Sequence, residues 1–263
     1  GPVDIDKMDY LFRDSLHAGV PYGQYFDRNR LIGNLCLNRT GDRLAIIHKG
    51  RTAAELMVFA RYVMFSEVYW HHAVRAATAM WQRAFYLLYE QVDLDELFRL
   101  DEVAIIEKLR TVAAGGPATE LLNGIFGPTR DLYKRLGEYH VLQSPSIHQR
   151  LARRPYPELV QCSEQLATEL SQRVGTRIAP HEILIDAPPV SLEVEFELEV
   201  YSAKEDTYHM LADVSPVVQT LAKRQFDDYV KRVRVFVHPR LREMLNNVPD
   251  IDEPLEKILS EFG

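Results

Sequence analysis

The sequence is short of cysteine, of basic charge and of long apolar runs, and each shortage excludes something. Only Cys36 and Cys162 occur in 263 residues. They match no metal-binding spacing and make no disulfide framework, so two free thiols in a reducing cytoplasm are expected. Acidic residues outnumber basic ones, 38 to 31, for a formal net charge of -7. That sign argues against broad binding to nucleic acid or an anionic membrane surface, although a few local Lys and Arg can still dominate inside a cleft. No apolar run approaches the roughly 20 residues needed to span a bilayer. Nine histidines are present, yet none is followed directly by aspartate. Glycine and proline are missing from Thr52 to Gln91, where apolar residues recur densely. A single helix there would be about 60 Å long at 1.5 Å per residue. Two consecutive helices with a break near His71-His72 are expected instead.

What is present is ordinary globular material. Hydrophobic residues make up 46% of the chain, enough to bury a core in one large or two small domains. Residues 6–18 read as a helix, with Asp4 and Asp6 near its start, an apolar stripe of Met8, Leu11, Phe12 and Leu16, and Gly19 as its stop. A short helix over 27–36, a strand over 43–48 and helices over 95–113 and 118–125 follow. After Gly127-Pro128 the character changes. A strand within 131–142, a helix over 155–174, strands in ILIDAPP and VEFELEVY, a helix over 215–230 and a final strand in RVRVFV are expected. The fold class is therefore mainly α, with a helical part at 1–127 and a smaller α+β lobe at 128–263.

The informative string is VDIDKMDYLFRD at residues 3–14. On a helix, Asp6, Tyr10 and Asp14 fall at i, i+4 and i+8 and share one face, flanked by Lys7. Carboxylate oxygen suits Mg²⁺ or Mn²⁺, Lys suits phosphate, an aromatic plate suits a sugar ring, and a second carboxylate accepts from a sugar hydroxyl. The same spacing also suits a solvated helix face carrying ion pairs such as Asp9–Arg13, each contributing a few tenths of a kcal/mol.

This segment resembles the last conserved segment of the HD-domain phosphohydrolases, in the branch of deoxynucleotide triphosphohydrolases that includes the dGTPases and the SAM-linked viral restriction factor. It matches the pattern (I/V)-D-x-D-(K/R)-x-D-Y-x-x-R-D throughout. Arg61 and Tyr69 stand eight apart, as in an R-x7-Y segment of the family. TRDLYKRLGE at 129–138 resembles its R-x-L-(F/Y)-K-x-x-G-E stretch. The resemblance implies Asp6 as a metal ligand, Lys7 and Arg61 at the substrate phosphates, Tyr10 and Tyr69 around the sugar, and Asp14 on the sugar 3′-hydroxyl. Trp70 and His71 would face the base. Arg130 and Lys134 would help bind an activating nucleotide. It further implies a divalent metal (Mg, Mn or Fe), a nucleotide substrate and a homo-oligomer.

The family's remaining metal ligands come from an upstream His and a His-Asp pair. That H…HD segment is not in this chain, which opens on Gly1-Pro2. A cation held by Asp6 alone binds weakly, because hard cations need several donors at once. The chain is therefore expected to be inactive alone and to be a piece of a longer enzyme. Another nucleotide substrate of the same superfamily, or a non-catalytic regulatory or assembly role, are the alternatives. Among other residues, Tyr62, Phe65, Tyr86 and Tyr89 are expected in the core. Glu193, Glu195, Glu197 and Glu199 should form the wet face of a strand. Arg150, Arg153 and Arg154 should form a solvated loop. Arg61 and Arg75 lie in apolar stretches, where a charge needs a partner.

Overall fold

A computed structural model describes residues 3–189, 198–221, 230–249 and 252–261. In chain order, helices α1 (Ile5–Ala18) and α2 (Arg28–Ile32) precede strands β1 (Leu35–Leu37) and β2 (Leu44–Ile47). Helix α3 (Arg51–Met64) then widens into a π-helical turn, Phe65–Tyr69. Next come α4 (His72–Leu88), α5 (Leu94–Leu97), α6 (Glu102–Ala113), α7 (Pro117–Phe126), β3 (Lys134–Tyr139), α8 (Pro145–Leu151), α9 (Tyr156–Val174) and β4 (Ile183–Asp186). The chain continues with β5 (Glu199–Ser202), β6 (Thr207–Met210), α10 (Leu211–Val214), α11 (Pro216–Thr220), β7 (Val233–Val237), α12 (Arg242–Asn246) and α13 (Asp252–Glu261). The fold is mainly α with small sheets and an α+β part.

Contacts divide the chain into two units, Gly1–His71 with Ser191–Lys231, and His72–Val190 with Arg232–Gly263. The boundary expected after residue 127 falls inside the second unit, between α7 and β3. In the first unit the strand order is β1-β2-β5-β6, with β2 and β5 parallel and both outer pairs antiparallel. Its core joins Met8 and Leu11 of α1 to Met57 and Met64 of α3, Ile46 of β2 and Val200 of β5. Helix α1 starts on Asp4, whose side chain accepts from the Lys7 amide. It stops at Gly19, where φ is 68°, a left-handed conformation that glycine adopts without the Cβ clash.

The second unit holds an antiparallel sheet in the order β3-β7-β4. Strand β7 is buried throughout, and its side chains alternate between two cores, as the period of two demands. Val233, Val235 and Val237 join Leu166 and Leu170 of α9, whereas Phe236 joins Leu121 and Leu122 of α7. Burying each such side chain is worth roughly 1.5–3 kcal/mol. Arg75 of α4 reaches Asp186 of β4 through two hydrogen bonds of 2.9 and 2.5 Å, so its charge is matched.

Several expectations need correction. The helix expected over 27–36 ends at Ile32, because Leu35 leaves it to pair with Ile46. The helix expected over 95–113 is two, because Asp101 caps a new start by accepting from the Ala104 amide. Tyr89 is exposed, and Tyr62, Phe65 and Tyr86 are half-buried rather than fully enclosed. Arg154 pairs with Glu158 at 2.9 Å, while Arg150 and Arg153 face solvent. Glu199 is half-buried on β5, and Glu193, Glu195 and Glu197 lie outside the described residues, as does 222–229 of the helix expected over 215–230. Cys36 and Cys162 are both free thiols.

Candidate functional site

Helix α1 lays its motif out in order. At the first turn, Asp4 accepts from the Lys7 backbone amide at 2.9 Å and from Lys7 Nζ at 2.6 Å. Burial would raise the Asp4 pKa, but the bonds from Lys7 override it and hold the carboxyl at about 2. Asp6 is exposed in that turn. Tyr10 and Asp14 follow one and two turns later, both half-buried. Asp9 and Arg13 form their ion pair at 2.5 Å on the exposed side, so the solvated face and the motif face coexist on one helix.

The partner of this face in the first unit is the end of α3. Arg61 is 7% exposed. Its guanidinium lies 5.4 Å from the Phe65 ring centroid. Phe65 meets Tyr69 edge-on at 5.0 Å and 73°. Tyr69 meets Tyr10 at 6.1 Å and 72°. The Tyr69 hydroxyl donates to Asp14 Oδ2 at 2.8 Å. The residues from Arg61 to Tyr69 are thus one line of side chains, and local backbone geometry makes it so. Eight steps of about 100° in a regular α-helix would leave Arg61 and Tyr69 about 80° apart. The π turn lowers the rotation per residue and brings Tyr69 back over Arg61. Its signature is the Trp70 amide donating to the Phe65 carbonyl at 2.8 Å, five residues back.

Electrostatics suit neutral phenols around a fixed carboxylate. Burial raises the Tyr69 pKa, and the hydrogen bond to Asp14 and that carboxylate's charge raise it further. Burial raises the Tyr10 pKa too, opposed by the neighbouring Arg61. Both phenols stay protonated near neutrality. The resulting surface has a carboxylate to accept from hydroxyl groups, two ring edges and a guanidinium that suits phosphate.

Of the sequence-derived candidates, the structure brings Tyr10, Asp14, Arg61 and Tyr69 together, with Lys7 and Asp6 at the start of the same helix. Trp70 is instead 4% exposed, with the Lys231 ammonium 5.9 Å from its ring, and His71 is exposed. Arg130 and Lys134 belong to the second unit. There they line a pocket of about 400 Å³ together with His72, Arg135 and Arg242. Sequence reasoning missed Arg135 and Arg242, and Phe65 as the spacer between Arg61 and Tyr69. For Phe65 the only signal was its place midway between them.

Among the described residues, the donors do not by themselves make a metal site. Asp6 is a single exposed carboxylate and Asp4 is engaged by Lys7. Among the described residues, no group of three His, Cys, Asp or Glu side chains is placed to hold an ion. Among the same residues, no helix is long and apolar enough to cross a membrane.

Comparison with known proteins places these features in context. Residues 26–250 match the family model described as HD associated region. The match begins after α1, so Tyr10 and Asp14 precede it, while Arg61 and Tyr69 lie within it. An uncharacterized protein of Methanocaldococcus jannaschii is 28% identical over 267 residues, covering 100% of this chain and 54% of that protein. A hypothetical protein from Aquifex aeolicus has a similar fold, with TM-score 0.61 and 23% identity over 92% of this chain and 56% of the other. A phosphohydrolase from Bacteroides thetaiotaomicron superposes with TM-score 0.55 and 20% identity, over 90% of this chain and 62% of the other. The last two are likenesses of fold. The chain spans about half the length of the curated relative.

Proposed function

The chain belongs to the HD associated region family, and on that premise we propose that it is the substrate-gripping part of a metal-dependent phosphohydrolase acting on (deoxy)nucleoside triphosphates. The products are a nucleoside and inorganic triphosphate. Water supplies an oxygen to the α-phosphorus, the bond from that phosphorus to the 5′-oxygen breaks, and the 5′-oxygen takes up a proton. The observation that carries this reading is the Tyr69–Asp14 hydrogen bond of 2.8 Å, formed beside Tyr10 and close to Arg61. In this reading Asp14 accepts from a sugar hydroxyl, Tyr10 and Tyr69 pack around the sugar, and Arg61 and Lys7 neutralise phosphate charge. Asp6 serves as one ligand of a divalent metal, and an H…HD-bearing segment outside this chain supplies the rest. Trp70 and His71 stay assigned to the base side of the site only by resemblance.

Arg130 and Lys134, in their cationic cavity, are read as a second, activating nucleotide site, and the assembled protein as a homo-oligomer. The lone ligand Asp6 favours one other reading, a regulatory or assembly protein that keeps the fold without the chemistry. One assay separates them. The full-length protein containing this chain is incubated with deoxynucleoside triphosphates and Mn²⁺ or Mg²⁺, with and without dGTP or GTP, and triphosphate is quantified. Release of triphosphate is expected. Absence of release under all these conditions would favour the non-catalytic reading.

A further inference from the structure

In the second unit, α4, the turn after it and the start of α9 line an open pocket of about 400 Å³, a size typical of small-molecule sites. Its wall is five aromatic side chains, Trp81, Phe85, Tyr86, Tyr89 and Tyr156, with Gln82 and Pro157 beside them. The rings are set at large angles to one another. Tyr86 meets Tyr156 at 5.5 Å and 71°, and Tyr89 at 6.0 Å and 39°. Trp81 is backed edge-on by Phe126 at 5.6 Å and 88°. Such a wall offers both faces and edges to a flat ring system, the arrangement aromatic pairs prefer.

The lining also says what the ligand is not. None of its residues is a Lys, Arg, His, Asp or Glu. Burial raises the Tyr156 pKa, with Arg83 opposing, so this phenol is neutral. The lining offers no cation for a phosphate to pair with. The polar groups of the lining are the Gln82 amide, which carries both donors and an acceptor, and the phenols, of which Tyr89 already donates to Glu90 at 3.0 Å. They match the mixed donor and acceptor edge of an uncharged heterocycle.

We propose that this cavity is a binding site for an uncharged nucleoside, distinct from the triphosphate site of the first unit. The cavity's chemistry selects a flat neutral heterocycle. The choice of a nucleoside within that class rests on the proposed reaction, which releases one. Bound there, the product would report its own accumulation to the enzyme.

Isothermal titration calorimetry on this chain tests the assignment, using deoxyguanosine and thymidine against their 5′-triphosphates. Saturable binding of at least one deoxynucleoside is expected. It should weaken about tenfold or more in Tyr89→Ala and in Gln82→Ala, both at exposed positions. Three outcomes overturn the proposal: no saturable heat with either deoxynucleoside, heat lost in Asp14→Ala but kept in Tyr89→Ala, or binding of the free bases without the nucleosides. The two readings fail separately. If deoxynucleoside binds here while the full-length protein releases no triphosphate, the reaction falls and the cavity's ligand class stands.

Discussion

At the scale of single residues, the account turns on which charges are held and by what. Asp14 is held from both sides: Oδ2 accepts from the Tyr69 hydroxyl at 2.8 Å and Oδ1 lies 3.8 Å from the Arg13 guanidinium. Glu138 illustrates the opposite use of a carboxylate. It accepts from Arg232 at 2.6 Å and from Arg234 at 2.8 Å. Burial would raise its pKa, but the two guanidinium groups bring it down from 4.5 to about 2. A depressed folded-state pKa stabilises the fold above the unfolded value and loses that contribution as pH falls. Stability measured by urea unfolding should therefore decline between pH 4.5 and 2. Glu138→Gln should be less stable at neutral pH and show a flatter acid limb. An acid limb identical to wild type would remove the ion-pair explanation. Helical spacing put Tyr10 and Asp14 on one face of α1 but suited a solvated face as well, and it was the family resemblance that marked them as a site. Phe65 was not marked, since an aromatic in an apolar stretch looks like core wherever it stands.

At the scale of elements, the π turn decides how α3 addresses α1. Seven residues in a regular α-helix bring two side chains back to within about 20° of each other, whereas eight leave about 80°. Deleting Ser66 should therefore let the turn relax to α while Tyr69 stays over Arg61. Inserting an alanine after Ser66 should swing Tyr69 by about 100° and break its bond to Asp14. In the full-length protein, assayed for triphosphate release, the deletion is expected to leave KM within about threefold of wild type. The insertion should raise KM about tenfold or more, as expected for losing roughly 1.4 kcal/mol, with helix content by circular dichroism unchanged in both. Equal effects from the two variants would contradict this geometry. The sequence announced a break near His71-His72 through its polar pair, but nothing in it distinguished a widened turn from a plain stop. The early end of the 27–36 helix was hidden for a related reason. Leu35, Cys36 and Leu37 suit either period, and only pairing with β2 decides.

At the scale of the molecule, apolar periodicity was enough to read a mainly helical fold with a small α+β part. β7 announced itself through Val233, Val235, Phe236 and Val237, apolar residues on both faces of a buried strand, with Arg234 the one charge, paired with Glu138. The division into units was harder to see. The first unit takes β5, β6, α10 and α11 from far along the chain, and the parallel pairing of β2 with β5 has no local sequence sign. The candidate site lies in that unit, assembled from α1 and the end of α3, and a chain covering 54% of its archaeal relative carries it without a metal cluster among the described residues.

The central claim is that α1 and the end of α3 together grip a nucleotide, and affinity measures it directly. A deoxynucleoside triphosphate is titrated into full-length wild-type protein and into Asp14→Ala, after both are shown to be folded. Removing a charged hydrogen-bond partner costs about 1.5–3 kcal/mol, so Asp14→Ala should bind about tenfold or more weakly. Equal affinity in the two proteins, or no saturable binding in wild type, would contradict the account.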